Sequence, residues 1–335
     1  MLSFLFRRFL LTIPVLLGLT MLVFAIARLL PGDPVALAAG PNATSAEIAA
    51  YAREFGLDKP IAAQYWSYLT GLLHGDFGVS IFTRRPVAED IAAYLPATLE
   101  LVFAAMTIAV VIGVPAGLAA AVWRDRWPDY VSRVMALSSI SMPRFFLGLV
   151  LQLLFAMWMG WLPLGGRFPI TDPPPPHVTG FYTFDALLAG DGAGFLLACQ
   201  YLCLPAVAMS LSPLATIMRM MRASTLEVMT QDYVMTERAL GLPESKIIFK
   251  YVARNALSST LTVIGLYFGW LLGGTVLVET VFDWPGLGLY ATKSVLTQDF
   301  MPVIGVTLVI GALFVLSNLV VDLLYGVVNP KVRLS

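Results

Sequence analysis

The sequence is poor in charge, cysteine and histidine, and each shortage excludes a class of protein. Charged residues make up 13% of the 335 residues, about half the share that is usual in a soluble globular domain, and 21 basic residues balance 21 acidic ones. Disordered chains combine low hydrophobicity with high net charge, and nucleic-acid-binding proteins carry a basic surplus, so neither class fits. The two cysteines, Cys199 and Cys203, are too few for a disulfide scaffold.

Common catalytic motifs are absent as well. The sequence has no glycine-rich loop ending in Gly-Lys-Ser/Thr, no His-Glu-x-x-His and no Gly-x-Ser-x-Gly. We therefore expect no ATPase site, no catalytic residue and no enzyme activity in this chain. His74 and His177 are far apart, and two cysteines on one helix face are too few ligands for zinc, so we predict no metal site.

Apolar residues, in contrast, make up 58% of the chain, and the mean hydropathy is +0.80. They form six runs, each long enough to span about 30 Å of hydrocarbon as a helix. The runs are 9–29, 97–123, 134–161, 195–218, 256–282 and 302–327. Backbone groups in a bilayer must be satisfied internally, and the alternating segments of a β-barrel are absent. The sequence therefore predicts an all-α polytopic membrane protein with six transmembrane helices.

The distribution of Lys and Arg predicts the orientation of these helices. With a cytoplasmic N-terminus, thirteen basic residues lie in inner segments and seven in outer segments, while Arg144 falls within the third run. We therefore predict that both termini are cytoplasmic. An alternative is a secretory signal cleaved near Ala25-Ile26-Ala27, which would leave five helices, but the apolar run is long for a signal core.

Three regions follow from this pattern. They are an N-terminal tail with the first helix (1–30), an outer helical segment (31–95) and a membrane core (96–335). The outer segment opens with the turn sequence Pro31-Gly32-Asp33-Pro34, and we predict a helix capped near Thr44 or Ser45 and an amphipathic helix at 65–73. A second outer excursion, 162–194, contains four consecutive prolines that exclude regular structure there.

The inner loop 219–254 has the pattern of two short helices joined at a glycine. Asp232 is placed to cap a helix over 233–240, Gly241 fits the C′ position with positive φ, and Pro243 suits the first turn of the next helix. The loop mixes apolar and basic residues. On pattern alone it is either a protein-docking face or an amphipathic loop on lipid headgroups.

Several short stretches, spread over nearly the whole chain, match the pattern of a known family in the same order. They are residues 30–34 (LPGDP), 55–60 (FGLDKP), 75–80 (GDFGVS), 241–242 (GL), 254–256 (RNA), 279–288 (ETVFDWPGLG) and 322–330 (DLLYGVVNP). Together they resemble the membrane permeases of dipeptide and oligopeptide ABC importers, most closely the dipeptide-permease branch.

The resemblance implies a type I ABC importer permease fold in the bacterial inner membrane. A homologous second permease subunit, two ATP-binding subunits and a periplasmic or extracellular substrate-binding protein would be the partners, with no nucleic acid. ATP and Mg would bind to the partner subunits, and this chain would hold no cofactor.

The resemblance also implies a coupling role for the inner loop, called the EAA loop in such permeases. The family pattern Glu-Ala-Ala-x3-Gly falls on Met235, Thr236, Glu237 and Gly241, and only the glycine is kept. The residues expected to couple to an ATPase are Tyr233, Glu237, Arg238, Ala239, Gly241 and Leu242.

Five residues are predicted to line a translocation path or gate: Arg144, Glu279, Trp284, Pro285 and Gly286. Arg144 lies about ten residues into the third run, where a charge costs about 2.5–3.5 kcal/mol, so it should face the bundle or water. Three interpretations are open. Arg144 contacts a peptide in transit, it bonds a neighbouring helix, or it belongs to a helix that starts nearer residue 140. Glu279 fits either helix-end capping or, with the following turn, an outer gate.

Two other functions fit the composition. A stand-alone secondary carrier should place ionisable groups along a proton route, and only Arg144 lies deep in a run. An ABC exporter half is disfavoured by the long outer segments and the missing fused ATPase.

Overall fold

The computed structural model describes residues 2–29, 44 and 59–328, and most of these residues lie in helices. The helices are α1 (Leu2–Leu29), α2 (Ile61–Leu73), α3 (Val87–Val122), α4 (Trp127–Ser141), α5 (Arg144–Leu151), α6 (Tyr182–Leu188), α7 (Gly192–Met229), α8 (Asp232–Ala239), α9 (Glu244–Gly273), α10 (Val276–Val281), α11 (Leu287–Leu296) and α12 (Phe300–Val328). π-helical turns extend α5 over Gln152–Trp158 and form Ile247–Val252 within α9. The predicted all-α architecture is confirmed.

In the outer segment, the amphipathic helix predicted at 65–73 is confirmed as α2. The predicted turn at 31–34 and the helix predicted to begin near Ser45 lie outside the described residues.

Four helices in the described ranges are long and apolar enough to cross a membrane: α3, α7, α9 and the Phe300–Val321 part of α12. The pair Trp127–Ser139 and Arg144–Trp158 makes a fifth span if it crosses as one unit. In α1 the described apolar stretch, Leu10–Ile26, is shorter than these helices. The structure thus supports a polytopic membrane protein, while the count of six spans stays a prediction.

The third apolar run does not form one continuous helix, contrary to expectation. Met142 and Pro143 are extended, with ψ of 124° and 138°, and the helix segments on either side are bent by 107°. A proline forces the residue before it out of the helical region, so α4 ends here. Arg144 is therefore the first residue of α5 rather than a mid-helix residue.

The fifth run is also interrupted. The sequence predicts one helix over 256–282, but α9 ends at Gly273, and the chain turns at Gly274 before the short helix α10. Glu279 accordingly lies in α10 and is fully buried.

Glycine pairs set the closest approaches between the membrane helices. A Cβ at Gly113 of α3 would lie 3.1 Å from a carbonyl oxygen of α7, and one at Gly117 would overlap the carbonyl of Met218. A Cβ at Gly265 or Gly269 of α9 would likewise overlap side chains of α12. Lipid tails are as apolar as the helices, so close backbone packing of this kind holds a membrane bundle together.

A buried ion pair anchors the excursion 162–194 to α3. Glu100 and Arg167 are 4% and 7% exposed, and Arg167 Nε donates to Glu100 Oε2 at 3.1 Å. The other carboxylate oxygen accepts from the backbone N–H and hydroxyl of Thr183, at 2.8 and 2.7 Å. Arg167 also donates to the carbonyl of Gly180. Since each charge is paired and hydrogen-bonded, the excursion is held as part of the bundle.

We predict that Gly117→Ala destabilises the protein by about 1–3 kcal/mol, because the added methyl group has no room against α7. Thermal unfolding of the detergent-purified protein measures the effect. Gly18→Ala is the matched control, because a Cβ there meets nothing within 4 Å. Equal unfolding temperatures for the two variants would contradict the close α3–α7 contact.

Candidate functional site

The turn at Gly241 is a Schellman motif that ends α8. Gly241 has φ of +76°, as the sequence predicts, and its N–H donates to the carbonyl of Arg238 at 3.0 Å. The N–H of Leu242 donates to the carbonyl of Glu237 at 3.2 Å. A Cβ at Gly241 would meet nothing within 4 Å, so glycine is needed here for its backbone conformation and not for space.

Helix α8 is fixed between two membrane helices. Two residues separate it from α7, and Val234 is fully buried against Ile247 and Val252 in the π-helical start of α9. Arg238 Nε also donates to Glu244 Oε1 at 2.7 Å across the turn. The predicted second short helix is in fact the first part of α9, which continues to Gly273. Helices α7, α8 and α9 therefore form one connected unit.

The other residues predicted to couple are distributed around α8. Tyr233 is 40% exposed, and its hydroxyl accepts a hydrogen bond from Asn255 at 3.0 Å. Ala239 is exposed, and Glu237 is partly buried. Asp232 is the first residue of the helix and does not cap it; the N-cap is Gln231.

Three apolar side chains near this turn are largely exposed among the described residues. Met235 is 58% exposed, Leu240 is 73% exposed and Phe249 is 70% exposed. They stand beside the charged residues Arg238 and Lys250, which are also exposed. Exposed apolar side chains with a charged rim are typical of a protein-docking surface. We call the exposed part of α8 together with Leu240 and Phe249 the α8 surface.

A buried carboxylate ties α4 to α7. Asp129 is fully buried and accepts from Arg222 Nε at 2.6 Å and Nη2 at 3.0 Å. It also accepts from Arg133 Nη2 at 2.6 Å and from the backbone N–H of Asp125 at 3.0 Å. Because Asp129 is held by Arg222 and Arg133 together, α4 should follow a displacement of this part of α7. No local sequence pattern signals this pair, whose members are 93 residues apart.

Glu279, Trp284 and Gly286, three of the predicted path or gate residues, lie in a buried junction where α10, the turn after it and the start of α11 meet α3. Glu279 Oε1 accepts from the Thr98 hydroxyl at 2.7 Å, and Oε2 accepts from the N–H of Leu289 in the first turn of α11 at 3.0 Å. Trp284 Nε1 donates to the carbonyl of Ala97 at 2.9 Å. Glu279 thus accepts a hydrogen bond in the first turn of α11, which is compatible with the predicted helix-end capping.

The junction has no space for a Cβ atom at position 286, so glycine is required there. A Cβ at Gly286 would lie 2.5 Å from both Glu279 Oε1 and the Thr98 hydroxyl. Pro285, next to it, is partly buried. That these residues take part in an outer gate stays a prediction.

Arg144 lines a cavity of about 210 Å³ where α4 and α5 meet α7. Its Nη2 lies 3.5 Å from the hydroxyl of Ser212 in α7. A second cavity of about 690 Å³ lies beside the excursion and is lined by Gln152, Phe168 and Tyr201 among others. Arg144 lines the first of these cavities, whereas Glu279, Trp284 and Gly286 line neither of them.

In the part of the chain that the structure describes, no group of three or more His, Cys, Asp and Glu side chains could hold a metal ion. The bundle of long apolar helices is that of a polytopic membrane protein. The chain belongs to the family of binding-protein-dependent transport system inner membrane components, which matches residues 113–334, and the N-terminal family of the same components matches residues 1–102.

Relatives are similar over nearly their full length. The chain is 45% identical to the probable D,D-dipeptide transport system permease protein DdpB of Escherichia coli K12, covering 95% of this chain and 94% of the relative. It is 41% identical to the dipeptide transport system permease protein DppB of Alkalihalophilus pseudofirmus, over 99% and 100%. It is 39% identical to the glutathione transport system permease protein GsiC of Salmonella choleraesuis, over 99% of each chain. The family favours a permease subunit over a stand-alone carrier.

We predict that Gly241→Val abolishes transport while membrane insertion and protein amount stay normal. Valine in the left-handed region costs about 1–2 kcal/mol or more, whereas asparagine tolerates it. Gly241→Asn should therefore keep most of the activity, and this variant is the matched control. Uptake into proteoliposomes, normalised to inserted protein, measures both. Normal uptake by the valine variant would contradict a role for the turn geometry.

Proposed function

We propose that this chain is the permease subunit of an ATP-driven importer of dipeptides and other short peptides. It would work with a homologous second permease, two ATP-binding subunits and a substrate-binding protein, with both termini in the cytoplasm. The names of the relatives, which transport dipeptides or glutathione, support the substrate class. The chain's lack of a P-loop supports ATP hydrolysis by separate subunits.

The observation that carries this proposal is the α8 surface. Helix α8 packs inward through Val234 and leaves Leu240 and Phe249 mostly exposed beside a rigid glycine turn. A partner's movement can reach the membrane helices only through a contact that is itself stiff. The α8 surface supplies the contact, and the direct joins to α7 and α9 supply the stiffness.

The movement would pass from α8 into the bundle along α7. Arg222 of α7 bonds the buried Asp129 of α4, so a displacement of this part of α7 takes α4 with it. The other end of α4 is the break at Met142, which borders the cavity beside Arg144. A movement of α4 and this part of α7 relative to α5, about the break at Met142, would therefore open or close that cavity, as alternating access requires.

Reconstitution tests the proposed function directly. Proteoliposomes would contain the chain, the second permease and the two ATPases, with the binding protein and a labelled dipeptide added outside. We expect uptake that depends on ATP and on the binding protein. Uptake by this chain alone, driven by a proton gradient without ATP, would favour a secondary carrier instead.

We predict that Leu240→Asp prevents the ATP-binding subunits from copurifying with the permease, because a carboxylate would be buried in the docked interface without a partner. Leu73→Asp in α2 is the matched control, because the two leucines are 73% and 79% exposed. Copurification from detergent, quantified by mass spectrometry, measures the effect. Equal recovery of ATPase with both variants would place the docking surface elsewhere.

A further inference from the structure

The cavity beside Arg144 exists because the chain breaks between α4 and α5. The extended backbone at Met142 and Pro143 turns the helix by 107°, and the gap is bordered by α7. Its wall is mainly apolar and includes Met135, Leu147 and Leu211. Arg144 and three serines, Ser138, Ser139 and Ser212, bring polar groups to it. The recess is therefore mainly apolar, and Arg144 is the cationic side chain that lines it.

The guanidinium of Arg144 has most of its donors uncommitted. It carries five N–H groups, and within the described residues its one hydrogen bond is the long 3.5 Å contact to Ser212. No carboxylate of those residues lies within 4 Å of it. Arg167 and Arg222, in contrast, each bond a buried carboxylate. Arg144 is thus half-buried without a counterion.

The end of α9 explains how the cation is tolerated there. The Cβ position of Gly274 lies 2.8 Å from Arg144 Nη1 and 3.2 Å from the carbonyl oxygen of Trp270. The guanidinium therefore lies close to the last carbonyls of α9, where the helix dipole is negative. This field stabilises the positive charge while its N–H groups stay available to a ligand.

We infer that Arg144 binds the C-terminal carboxylate of a peptide in transit, an inference that rests on the proposed function. A guanidinium binds a carboxylate through two parallel hydrogen bonds, and every unmodified peptide carries that group whatever its side chains. The recess is smaller than the roughly 300–1,000 Å³ of a typical ligand pocket, so it fits the carboxyl end and not a whole peptide. Its apolar wall, with flexible methionines, accommodates varied side chains.

Two variants of Arg144 test this site in the complete reconstituted complex. Arg144→Met should lower dipeptide uptake per inserted complex at least about tenfold, while ATP hydrolysis stimulated by loaded binding protein continues. Arg144→Lys, which keeps the charge, should restore part of the uptake. Arg124→Met is the control, since Arg124 is 66% exposed and pairs only with its neighbour Asp125 among the described residues. Wild-type uptake by Arg144→Met, or a loss explained by protein amount alone, would overturn the inference.

A labelling measurement on the unaltered complex removes the risk that a variant fails to fold. Phenylglyoxal modifies accessible arginines, and mass spectrometry reads each site. During turnover the transported dipeptide should protect Arg144 and leave Arg124 unprotected. Equal labelling of Arg144 with and without dipeptide, in a complex that transports it, would overturn the inference while leaving the proposed function intact. Failure of the wild-type complex to assemble with ATPases would overturn the proposed function and the inference together.

Discussion

The left-handed backbone at Gly241 is the constraint on which the rest of the arrangement depends. It closes α8 with two backbone hydrogen bonds and directs the chain straight into α9. A different angle at this position would withdraw Val234 from its contact with Ile247 and separate α8 from the membrane helices. The α8 surface keeps its fixed relation to the bundle because this one residue adopts a conformation that side chains disfavour.

Movement at that surface reaches the membrane interior through polar contacts rather than through apolar packing alone. Lipid supplies no hydrophobic force between helices, so specific interactions must define which helices move together. Asp129 and Arg222 join α4 to α7, whereas Glu279 and Thr98 join α10 to α3. The recess beside Arg144 lies among α4, α5 and α7, next to the first of these junctions along the chain.

Local signals in the sequence predict a large part of this architecture. The apolar runs predict the helices, and glycine followed by Pro243 predicts the turn, because both depend on neighbouring residues. The ion pairs of Glu100 and Asp129 join residues 67 and 93 positions apart, so no periodicity reveals them. The break at Pro143 had a local signal, but the surrounding hydrophobicity suggested a continuous span. The glycines at 113 and 117 also carry a small-xxx-small pattern that could have predicted the α3–α7 contact.

The central claim is that a separate nucleotide hydrolase contacts the α8 surface. Site-specific photo-crosslinking from Tyr233 in the purified native complex tests it most directly, with Leu73 in α2 as the comparison position. The account predicts a crosslink from position 233 to an ATP-binding subunit and none to that subunit from position 73. A crosslink from position 233 only to lipid, or to a substrate-binding protein, would contradict it.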